Sequence, residues 1–105
     1  MKKYDHYKIL NPAGEWENWR VPTFLSPADV AKHLPYSTIC MFIPRSYQLY
    51  GKSPSGESVK MVGPCWTVWN RQKQDHVGPF PDPESLPHRT LWAAEGPQVV
   101  QEVPA

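Results

Sequence analysis

The chain has no excess of charge of either sign: eleven Lys and Arg stand against ten Asp and Glu, a net charge of +1. Proteins that hold nucleic acid through its phosphates carry a basic surplus, so that class is disfavoured and only a local patch could serve it. Cysteine is scarce. Cys40 and Cys65 alone make neither a disulfide framework nor a zinc motif, and free thiols are expected. The longest apolar run, Ile39-Cys40-Met41-Phe42-Ile43, is far short of a membrane span. Behind Met1-Lys2-Lys3-Tyr4-Asp5-His6 there is no apolar segment of the kind a signal peptide needs. Phosphate loops are lacking too, since Gly51-Lys52-Ser53 has neither the upstream glycine nor the apolar helix that should follow. These absences point to a soluble, cytoplasmic protein without a membrane partner.

Proline and tryptophan are abundant instead. Thirteen prolines in 105 residues, against about 5% in an average protein, favour short elements joined by stiff turns over long helices. Five tryptophans are present, four of them in two pairs, Trp16-Glu17-Asn18-Trp19 and Trp66-Thr67-Val68-Trp69. On strands, residues three apart point to opposite faces, so one Trp of each pair can anchor a core while the other meets solvent or a partner.

Punctuation along the chain gives the elements. Tyr7 to Leu10 and Glu15 to Val21 read as strands of a hairpin across Asn11-Pro12-Ala13-Gly14. Ser26-Pro27-Ala28-Asp29 carries a Ser N-cap, Pro at the first helical position and Asp at N3, with Leu25 and Val30 placed as a hydrophobic staple. The helix should span 26–34, because Pro35 cannot continue it. Ser37 to Ile43, Glu57 to Val62 and Cys65 to Trp69 read as further strands, with a bend or edge at Gly63-Pro64 and a loop over Gly51 to Gly56. Gln72 to Asp75 is a polar turn, Gly78 to Pro83 an extended stiff connector, and residues 87–95 a second short helix stopped by Gly96-Pro97. A strand, turn and Pro-started helix occur in both halves; small α+β proteins reuse such punctuation, and that reading is preferred to a decayed duplication.

The expected fold is therefore α+β: residues 1–97 as one compact domain with a mostly antiparallel sheet of four to six short strands, and 98–105 as a weakly stranded or disordered tail. Its core should include Ile9, Leu10, Trp19, Phe24, Val30, Leu34, Ile39, Met41, Trp66, Val68, Phe80 and Leu91.

Candidate chemistry is thin. His6, His33, His76 and His88 lack the close ligand pairs of zinc sites, so no metal or other cofactor is expected. Asp75-His76 and Asp5-His6 are adjacent, which on a strand sends the two side chains to opposite faces. Nothing beside Cys65 in sequence would activate its thiol. Arg45, Tyr47, Tyr50, Lys52 and Lys60 gather basic and aromatic side chains around the central loop, a mixture enriched both in protein interfaces and in sites for single-stranded nucleic acid. Pro79, Pro81 and Pro83 miss the spacing of proline-rich recognition motifs.

The reading that follows is a non-catalytic binding protein with a protein partner, using Trp16, Trp19, Arg45, Tyr47, Tyr50, Trp69 and Arg71. In size, tryptophan content and lack of catalytic motifs the chain resembles the small accessory proteins of phages and mobile elements, such as anti-CRISPR proteins. That resemblance implies inhibition of a host factor. Two alternatives stay open: a nucleic-acid module adding Lys52, Lys60, Arg71 and Lys73 to the same aromatics, and a small enzyme using a histidine with Asp75 or Cys65. An unpaired edge strand also leaves room for a homodimer.

Overall fold

In the computed structural model, residues 3–96 are described; the tail expected at 98–105 lies outside the described residues. Among those residues, β1 (Tyr4–Leu10), β2 (Trp16–Pro22), β3 (Thr38–Ile43), β4 (Gln48–Lys52), β5 (Ser58–Val62), β6 (Cys65–Asn70) and β7 (Asp75–Phe80) form one sheet in the order β2-β1-β3-β6-β7-β4-β5. Every pairing is antiparallel except β4 with β7. Helices α1 (Pro27–His33) and α2 (His88–Glu95) complete an α+β fold. The sheet thus has seven strands where four to six were expected.

Side-chain alternation gives the sheet two apolar faces, and each receives one helix. Tyr7 and Ile9 of β1 lie opposite Met41 and Ile39 of β3. With Val21, Val30, Ala31 and Trp69 they make the core under α1. Their neighbours point the other way: Leu10, Cys40, Val68, Val77 and Phe80 pack with Leu91 and Ala94 of α2. A hairpin followed by a helix occurs twice, as β1-β2-α1 and β6-β7-α2, with the helices on opposite faces.

α1 forms where its local signals place it. Ser26 Oγ accepts from the Asp29 amide at 3.2 Å and Asp29 Oδ2 accepts from the Ser26 amide at 2.9 Å, a complete capping box. The first turn of the chain also closes as its residues require. Asn11 Oδ1 accepts from the amides of Ala13 and Glu15, and Gly14 takes a φ of +85° that favours glycine.

Two strands were not expected: β4 runs into the loop read over Gly51 to Gly56 with its last two residues, and β7 joins the end of the polar turn at Asp75 to the stiff connector from Gly78. Gly51 and Gly78-Pro79 look like strand breakers, yet the sheet needs glycine at Gly51. A Cβ there would stand 2.5 Å from the His76 carbonyl oxygen and would strike the Met61 side chain. The missing side chain lets β4 lie close to β7 over the fully buried Met61.

Two expected core residues are corrected. Phe24, in the β2–α1 loop, is 83% exposed, and Trp19 is exposed on the edge strand β2 with its Nε1 bonded to Glu17 at 2.8 Å. Tyr7, Ile43 and Met61 are fully buried in their place.

Candidate functional site

The residues singled out from sequence do not form one surface. Trp16 is half-buried against the α2 core and Trp19 faces the other side of the same edge strand. Trp69 is buried beneath α1 and stacks edge-on with His76, which removes it from any exposed surface. Arg45 and Tyr47 lie on the exposed β3–β4 connection. Tyr50 is exposed on β4 opposite Lys60 of β5, which sets one aromatic and one basic side chain of the expected group side by side on that hairpin.

Arg71 takes a different role from the one expected of it. Its guanidinium reaches across to the C-terminal end of α1, donating to the carbonyls of Ala31 at 2.7 Å and Leu34 at 2.6 Å, and to that of Ser37. The Ala31 and Leu34 carbonyls also accept from the Leu34 and Ser37 amides, at 3.3 Å and 3.2 Å, so the guanidinium adds a second donor at the helix end, where its positive charge suits the negative end of the helix dipole. Arg71 therefore clamps α1 to the β6–β7 turn.

Beside that clamp is a cleft of about 370 Å³. Four segments build it: the β1–β2 turn, the α1–β3 loop from Pro35 to Thr38, Arg71, and one side of α2. Tyr36 and Trp92 line it and remain 82% and 58% exposed. His88 and Glu95 of α2 line it as well. Glu95 is only 8% exposed, and its Oε1 is buried without a hydrogen-bond partner. Burial pushes its carboxyl above the usual glutamate value, against the pull of a Thr38 hydrogen bond and of the Arg71 charge.

Helix α2 is electrostatically reversed. Its first turn holds no acidic residue and its last turn no basic one, while His88 and Arg89 open it and Glu95 closes it. A carboxylate is disfavoured at a helix C-terminus, by roughly 0.3–1 kcal/mol where exposed. Glu95 thus breaks two rules, burial and dipole, in the wall of a cleft. Local rules are broken in this way chiefly at functional sites. Sequence reading missed it because the burial of position 95 depends on where α2 docks; the reversed charge order on 88–95 was the available signal.

The other candidate groups are dispersed. His6 stacks with Phe42 and Trp66 on the α2 face, where Lys8 sits over the Trp66 ring and pairs with Asp82 at 2.9 Å and Glu84 at 3.0 Å. His76 lies on the other face against Trp69, its Nδ1 3.2 Å from the Thr67 hydroxyl; burial lowers its pKa and the nearby Asp75 charge opposes that. Cys40 is fully enclosed, and burial pushes its thiol up to about 12; burial also raises Cys65. Both thiols are thereby held away from the reactive thiolate form. Among the described residues no group of three or more His, Cys, Asp and Glu could hold a metal ion, and no helix is long and apolar enough to cross a membrane.

Set against models of protein families, curated proteins and solved structures, the chain matches none of them.

Proposed function

We propose that this chain is a non-catalytic binding protein whose partner is another protein, and that the partner docks over the cleft between α2 and the α1–β3 loop. The observation that carries this reading is the pair Tyr36 and Trp92. Two large aromatic rings stand largely in solvent on one concave site, where single exposed apolar residues would need no explanation. Tyr and Trp are among the residues enriched at binding hot spots. The resemblance to phage and mobile-element accessory proteins supplies the expected consequence, inhibition of the bound host factor.

Affinity capture from a host lysate tests the reading, with tagged wild-type protein set beside a Tyr36→Ala, Trp92→Ala double variant, with nuclease and at two salt concentrations. Both positions are exposed, so the double variant keeps the fold. A stoichiometric protein retained by wild type through nuclease and moderate salt, and lost by the double variant, supports it. Capture abolished by nuclease would move the assignment to nucleic acid, for which Tyr50 and Lys60 on the β4–β5 hairpin are the candidates.

A further inference from the structure

The cleft holds more chemistry than two aromatic rings. A carboxylate offers about four acceptor positions on two oxygens. Glu95 receives a hydrogen bond from Thr38, while its Oε1 has none. A buried acceptor left in this condition is costly, and the Arg71 guanidinium donates no hydrogen bond to it. Arg71 acts on Glu95 through its charge, but its guanidinium nitrogens are directed to the α1 and Ser37 carbonyls. Three carbonyl dipoles already cover that positive charge. The cleft therefore keeps an unspent acceptor at its wall, with two exposed aromatic residues in the same lining.

One class of ligand answers all three features. Such a ligand has an apolar stem to pack on Tyr36 and Trp92, a cationic head that aromatic rings attract, and N–H donors for the carboxylate. The volume, about 370 Å³, lies at the small end of ligand pockets. It suits one long side chain better than a folded surface. We propose that the cleft is a receptor for a basic side chain, lysine or arginine, presented by the protein partner, with Glu95 as its counter-charge and Trp92 and Tyr36 as its walls. This rests on the protein-binding reading above and specifies what the partner inserts.

The wild-type protein itself is the test. The indole N–H resonance of Trp92, assigned by its loss in Trp92→Phe, is followed by NMR during titration with the acetylated amides of lysine, arginine and norleucine. Norleucine keeps the apolar stem and lacks the charge. The lysine or arginine amide should shift the signal saturably in the millimolar range, at least about tenfold more tightly than norleucine. Glu95→Gln, checked for folding by its spectrum, should weaken the basic amides about tenfold and leave norleucine unchanged. Equal shifts from all three amides, or no saturable shift from either basic one, would overturn the proposal. So would undiminished binding of the basic amides to Glu95→Gln. These outcomes need no host partner. A lysate protein captured equally by wild type and by Glu95→Gln would leave the protein-binding reading standing while the basic-side-chain receptor fails.

Discussion

Two buried polar side chains separate what the fold tolerates from what it uses. Tyr7 is fully buried between the sheet and α1, and its hydroxyl has no hydrogen-bond partner. Removing an unpaired buried hydroxyl relieves a desolvation cost of about 1–3 kcal/mol on mutational scales. Tyr7→Phe should therefore match or exceed wild type in urea denaturation, and a loss above about 1 kcal/mol would contradict that. Glu95 is shifted in the opposite direction from Glu17, Asp29 and Asp82, whose carboxyls are held below their usual values by hydrogen bonds. Its folded-state pKa lies above the ordinary 4.5, chiefly through burial. Stability from this group is complete below 4.5 and is lost as the pH rises through the raised value. Glu95→Gln has no such loss. Its melting temperature should gain on wild type as the pH rises from acid to neutral, and a difference that stays constant with pH would show that the carboxyl titrates normally.

At the scale of elements, the parts legible in sequence were those specified by near neighbours. Ser26, Pro27 and Asp29 define the start of α1 without help from the rest of the chain, and Asn11 to Gly14 define their own turn. The twin Trp motifs alternate as strand geometry requires: Trp66 packs toward α2 and Trp69 toward α1. β4 and β7 were hidden because Gly51 and Gly78 are strand-breaking locally and are accommodated by contacts distant in sequence, above all with Met61. Trp19 and Phe24 mislead for a related reason, since ring size favours burial but an edge strand and a loop leave each outside. Arg71 belongs to the same class of long-range device. It joins the end of α1 to the β6–β7 turn, and no spacing rule predicts a pairing over such a separation. Arg71→Met should destabilise the protein by about 2–3 kcal/mol in urea unfolding, because the charge-assisted bonds that tie three carbonyls at the end of α1 to the β6–β7 turn are lost. Arg71→Lys should recover part of that, its single ammonium being unable to span three carbonyls. A change under about 0.5 kcal/mol for Arg71→Met would mean that water serves those carbonyls equally well.

Across the whole molecule, the sheet carries an apolar core on each face and leaves the cleft along one side of α2. The candidate surface read from sequence is divided among both faces of the edge strand, the buried core under α1 and the β4–β5 hairpin. The cleft instead assembles from the β1–β2 turn, the α1–β3 loop, Arg71 and α2, segments that meet only once both helices have docked. A site built this way leaves no motif in the sequence. Only the α2 charge order and the aromatic residues Tyr36 and Trp92 hint at it. Photo-cross-linking compares the two surfaces directly, with a photoreactive phenylalanine analogue placed at Tyr36 in one protein and at Tyr50 in another, each irradiated in nuclease-treated host lysate. A single protein adduct from position 36 and none from position 50 is the predicted result. An adduct from position 50 alone, or none from position 36, would contradict the assignment of the cleft as the partner site.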